Sequence, residues 1–235
     1  MQHGFSRFGL VLLLAVGVAA CDDDDDPVQP NPQPALVRLV NAADIPDVDV
    51  NIAGTTTPLA TDLDFRESTP TCVQVPAGNR SLVFSSTGVD LATVAFDFEE
   101  NERYTAVLVA SGATRRAFVA PDDETASASN NALRFVNATS TPGDIYVTAT
   151  ADDPAAAFLA GGNIGPHATT NVVPAYVHRN TTHTRARLFD VGVTTGNPRA
   201  DIELTGLPTS RLATVLFVDE GTPVGPTAFI VVPCP

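Results

Sequence analysis

The chain has 235 residues, 13 basic against 27 acidic, and a formal charge of −14 at pH 7. All 13 basic residues are Arg, 44% of residues are hydrophobic and 17% charged, which excludes wholesale disorder and a nucleic-acid backbone as partner. The length allows one or two domains, and the three cysteines are too few for a disulfide-dense scaffold yet odd in number.

Arg7 precedes an apolar run of 13 residues from Phe8 to Ala20. That is shorter than the ~20 residues a helix needs to cross a bilayer, so residues 1–20 are expected to form a signal peptide. Val18-Ala19-Ala20-Cys21 resembles the lipobox of bacterial lipoproteins. The resemblance implies that the Cys21 thiol is acylated and becomes the new N-terminus. An ordinary secretory signal with an unrelated cysteine is the alternative. One acyl chain binds a membrane reversibly, whereas the several chains implied here hold firmly. Residues 21–34 continue as a tether: the carboxylates from Asp22 to Asp26 repel one another, and four prolines from Pro27 to Pro34 favour polyproline II. At about 3.1 Å per residue, this tether reaches roughly 40 Å from the lipid surface. An Asp after the acylated cysteine resembles an inner-membrane retention signal in enteric bacteria, and acidic residues there resemble a surface-export signal in other lineages. The expected location is the bacterial cell envelope, at the outer membrane or cell surface ahead of the inner membrane.

Downstream the chain repeats itself. Val37-Arg38-Leu39-Val40-Asn41-Ala42 returns as Leu133-Arg134-Phe135-Val136-Asn137-Ala138, followed by Asp49-Val50 and Asp144-Ile145. Val75-Pro76-Ala77 returns as Val173-Pro174-Ala175, Arg103 to Val109 as Arg211 to Phe217, and Ala117-Phe118-Val119 as Ala228-Phe229-Ile230. Two units follow, residues 35–121 and 132–235, joined by a polar linker over 122–131. Within each, runs such as Val48-Asp-Val50-Asn-Ile52 alternate apolar and polar residues, which predicts strands. About seven such runs per unit predict an all-β chain of two tandem immunoglobulin-like antiparallel β-sandwich domains. Asp153-Pro154 to Gly161 carries helix start and stop signals, but Leu159-Ala160 matches Leu59-Ala60 of the first unit, so a strand or single turn is the alternative.

The residues Arg38 to Ala42, Pro46, Asp49-Val50, Val75 to Gly78 and Arg103 to Val107 resemble domain of unknown function 4397, a bacterial envelope module often found in lipoproteins and in tandem. The resemblance implies two copies, a sandwich fold and an extracytoplasmic setting, and it brings no catalytic residues. The second unit departs at Tyr176, where the first has Gly78, and inserts residues Val177 to His183.

The chain has no nucleophile elbow, zinc-binding helix, P-loop or dinucleotide-binding turn. His178 and His183 could share a metal, but no third ligand is near in sequence, and a solvated loop is the expected state. If the insertion binds a ligand, Tyr176, His178, Arg179 and His183 form the candidate binding loop. Asp47-Val-Asp49-Val-Asn51 starts like a calcium loop, but Ile52 and Pro58 stand where Gly and Glu are required. Arg38 with Asp49, and Arg134 with Asp144, are expected to form one structural ion pair per unit. Cys72 and Cys234 most simply pair in an oxidising envelope; the alternative leaves each free and buried. The expectation is therefore a lipid-anchored, non-enzymatic binding or structural module without cofactor or metal. Its partners are the membrane through the anchor and an envelope protein or glycan. A calcium- or glycan-dependent adhesin is the alternative, and an envelope-polymer hydrolase a more remote one.

Overall fold

The structure is a computed structural model, describing residues 32–124, 130–149, 159–167, 174–180, 182–207, 212–220 and 225–235. Within it the chain is all-β. The first half contains β1 (Ala35–Ala42), β2 (Val48–Ile52), β3 (Ala60–Leu63), β4 (Glu67–Ser68), β5 (Val73–Val75), β6 (Gly78–Ser86), β7 (Val89–Phe98), β8 (Arg103–Ser111) and β9 (Thr114–Pro121). The second contains β10 (Asn130–Ala138), β11 (Gly143–Thr148), β12 (Leu159–Ile164), β13 (Tyr176–Asn180), β14 (Arg185–Phe189), β15 (Ala200–Glu203), β16 (Leu212–Asp219) and β17 (Pro226–Val231). The helix signals at Asp153 lie outside the described residues, and the Leu159-Ala160 pair begins a strand.

Each half has an inner and an outer sheet of matching order. The inner sheets run β4-β1-β8-β9, with β5 also on β1, and β13-β10-β16-β17; the outer ones run β3-β2-β6-β7 and β12-β11-β14-β15. Pairing is not antiparallel throughout, as the sequence led one to expect: β1 lies parallel to β8 and β10 parallel to β16. The chain leaves each inner sheet to build the outer one before returning, and that crossover lets the returning strand run in the same direction.

Inner strands are apolar on both faces, as strands covered on both sides must be. In β1, Val37 and Leu39 join a core with Val50, Leu82 and Phe84 of the first outer sheet. Val40 and Ala42, on the opposite face, enter a second core with Val136, Ala138, Leu216 and Val218 of the other half. Leu133, Phe135 and Val215 pack on Ile145 and Leu188 in a third. This middle core forms a seam between the two inner sheets, and residues from Pro32 to Pro235 form one unit.

Two repeated polar devices fix the local geometry. Asn41, fully buried, donates from Nδ2 to the Ile45 and Leu63 carbonyls and accepts from the Ala43 N–H. Asn137 does the same with Thr141, Ile164 and Thr139. The second device is an aspartate at an irregular strand pair. Asp49 Oδ1 accepts from the Asp62 N–H at 3.1 Å, and Asp144 Oδ1 from that of Asn163 at 2.6 Å. Asp62 and Asn163 both have positive φ, 56° and 49°, where the local register shifts. These carboxylates hold backbone at β-bulges; the expected Arg38–Asp49 and Arg134–Asp144 pairs are not formed.

The strand registers also correct two of the repeat alignments. Arg38 lies opposite Thr105, and Arg134 opposite Thr214, so Thr105 matches Thr214, one residue away from the sequence alignment. A shift of one residue exchanges the faces of a strand. Val75 matches Arg179, because Ala35 pairs with the former and Asn131 with the latter. The two Val-Pro-Ala blocks are therefore not structurally equivalent.

Candidate functional site

The arginines that the repeat places at residues 38 and 134 face the seam, on the same side of their strands as Val40 and Val136. Arg134 has a side chain only 2% exposed, and its Nη1 lies 3.3 Å from Asp122 Oδ1. Its guanidinium stacks 4.1 Å from the centroid of the Tyr176 ring and donates from Nη2 to the Pro121 carbonyl. Asp122 is held on both oxygens: Tyr176 donates its hydroxyl to Oδ1 at 2.8 Å, and Thr105 donates to Oδ2 at 2.7 Å. Arg38 donates to the Thr69 carbonyl and feels the Asp122 charge. Asp122 of the first half thus pairs with Arg134 of the second, while Arg38 feels its charge from farther off. The strand register that pairs Thr105 with Ala120 and Thr214 with Val231 puts Pro233 where Asp122 stands in the first half.

Burial dominates the electrostatics of this cluster. It pushes the Asp122 carboxyl above the ordinary carboxylate range, against the lowering effect of Arg134 and the hydrogen bonds. It also pushes the Tyr176 hydroxyl up, so the phenol stays protonated and donates. Buried charges require such partners.

Asp122 opens the segment that the sequence marks as a polar linker, yet it is buried. Sequence reasoning missed it because a carboxylate beside Asp123 and Glu124 reads as solvated. The available signal was the repeated arginine in an apolar strand.

The expected binding loop is corrected in part. Tyr176, His178 and Arg179 belong to β13, hydrogen-bonded to β10, because this segment supplies the strand partner that β5 supplies in the first half. His178 Nε2 lies 3.2 Å from Glu124, and Arg179 donates to the Leu159 carbonyl at 3.0 Å. The His183 N–H closes a turn on the Asn180 carbonyl. Tyr176 and His178, two residues apart on one strand face, thus fasten Asp122 and Glu124 along β13. Cys21 lies outside the described residues.

Cys72, between β4 and β5, is bonded to Cys234 beyond β17 across a separation of 162 residues, with Cα atoms 5.9 Å apart. A cavity of about 350 Å³ opens among Phe96, Tyr104, Asp97, Glu99, Glu102 and Asp123. Among the described residues, no three His, Cys, Asp or Glu side chains converge to hold a metal ion. No helix among them is long and apolar enough to cross a membrane.

Four sheets built from seventeen strands, with no helical element among the described residues, define the class as an all-β protein. A sequence model of the family described as Domain of unknown function (DUF4397) matches residues 35–148, a span that runs from β1 to the end of β11. Among curated proteins, no match to the chain is found.

Proposed function

We propose that the chain is a lipid-anchored protein of the bacterial cell envelope, acylated at Cys21, acting as a non-enzymatic binding or structural module. In this reading, residues 35–121 and 132–235 are two copies of the family domain, each an immunoglobulin-like β-sandwich, joined through 122–131. The matching strand orders of the two halves support the duplication. The observation that carries the envelope assignment is the Cys72–Cys234 bond, since protein disulfides persist in oxidising compartments. It agrees with the lipobox-like Val18–Cys21 and the tether behind it. The structural side of the proposal rests on Asp122, whose two oxygens are taken up in joining the halves.

Palmitate labelling and membrane fractionation test this. The wild-type chain should take up label and sediment with membranes, and Cys21→Ala should do neither. An unlabelled wild type, or a labelled Cys21→Ala protein, would overturn the anchor. The cavity walled by Phe96 and Tyr104 favours a second reading, adhesion to a glycan stacked on aromatic rings. A glycan-dependent rise in melting temperature, lost in Phe96→Ala, would support it over plain scaffolding.

A further inference from the structure

At matching places in the two halves, one residue reaches across the seam towards the closing strand of the other half. Leu63 lies opposite Val48, and Ile164 opposite Gly143. Each offers its carbonyl to the buried asparagine of its own half. Three residues beyond them stand Arg66 and His167. Arg66 extends to Thr227 Oγ1 in β17 at 3.4 Å and to the Glu220 carboxylate. The His167 ring packs against Phe118 of β9, with centroids 4.0 Å apart. Phe118 lies in the seam core and Phe229, its match in β17, packs against that core.

The two contacts differ in chemistry. Arg66, permanently charged, meets a carboxylate. His167 is 3% exposed, its Nε2 has no hydrogen-bond partner among the described residues, and the charge that acts on it is the cation of Arg116, two residues before Phe118 on β9. A neutral imidazole packs in such a place. An imidazolium would bring a second positive charge beside Arg116, with no acceptor for its Nε2 among the described residues.

We propose that His167 is an acid-sensitive latch between the halves. Protonation expels its ring from Phe118 and releases residues 165–167 from β9, while the seam core and the Cys72–Cys234 bond keep the halves together. An envelope protein so built changes its surface when its surroundings acidify.

Burial, reinforced by Arg116, holds the imidazole down to about 4 from an ordinary 6.5. The docked, neutral form is therefore fully favoured above pH 6.5, and opening grows as pH falls from 6.5 through about 4. A tenfold change per unit gives an increase of up to roughly 300-fold. The other seam groups do not mimic this. Glu220 faces Arg66. Asp122, its carboxyl raised by burial, binds a proton more readily folded than unfolded, so its titration strengthens the fold as pH falls. Arg38, Arg116 and Arg134 remain charged throughout.

The test is amide hydrogen exchange and histidine NMR titration on the disulfide-intact wild-type chain between pH 7 and pH 4. The His167 ring should titrate near pH 4. The Phe118 ring resonances should lose their contact with His167 at that same midpoint, while the amides of β1, β8 and β9, held in the sheet ladder, exchange no faster. His167→Phe should abolish this dependence. Arg116→Gln, which keeps the ring, should move the titration to higher pH. A His167 titration near 6.5 without change at the Phe118 ring, or uniform acceleration of exchange through both halves, would overturn the latch.

Discussion

Asp122 gathers side chains from three strands: Thr105 of β8, Arg134 of β10 and Tyr176 of β13. Removing one member of such a set leaves the others buried without their partner, which costs more than the pair itself contributes. Asp122→Ala should therefore lower stability by about 3–5 kcal/mol in urea unfolding, because Arg134 keeps its charge in the seam. Tyr176→Phe, which removes one hydroxyl from the carboxylate, should cost about 1–3 kcal/mol. A loss below about 1 kcal/mol for Asp122→Ala would mean that water replaces the carboxylate without penalty. The two arginines were legible in the sequence as a repeated charge within apolar strands. The carboxylate that pairs with Arg134 was not, since Asp122 has Pro233 as its match in the second half.

Strand content was legible because alternation and apolar runs report burial directly. Val48-Asp-Val50 has one face in a core and reads as an alternating strand, while β1 sends Val37 and Leu39 into one core and Val40 into another and reads as a nearly continuous apolar run. Such patterns state how many faces of a strand are buried, but not which neighbour buries them. The parallel β1–β8 and β10–β16 pairs, and the one-residue offset that matches Thr105 with Thr214, were therefore out of reach. The bulge aspartates show how one device can carry unequal weight in two copies. Asp144, 7% exposed, accepts from both Asn163 and Gly192, whereas the more exposed Asp49 accepts from Asp62 alone at 3.1 Å. Asp144→Ala should destabilise by about 1–3 kcal/mol and Asp49→Ala by less than about 1 kcal/mol, as measured by chemical denaturation. Equal losses would show that both carboxylates serve the bulge alike.

The Cys72–Cys234 bond and the seam core act on the molecule together. Closing a loop of that length stabilises by at most about 5 kcal/mol through the unfolded chain, so the Cys72→Ala/Cys234→Ala protein should melt at a markedly lower temperature. The seam core should nevertheless keep unfolding a single calorimetric transition. Leu216→Ala, which opens a hole in that core, should cost a further 2–5 kcal/mol, about the usual range for a buried leucine. Two separate transitions in the cysteine-free protein would show that the halves melt independently. The parallel pairing also sets an order in time. Leu36 pairs with Arg103, a residue that leaves the ribosome 67 positions later. Until then the run from Leu36 to Val40 has no β8 partner, and its seam face waits longer still, for Val136 and Leu216. Proteins rich in such distant pairings fold in milliseconds to seconds, and for that interval β1 is the stretch most exposed to capture by a chaperone or by another nascent chain.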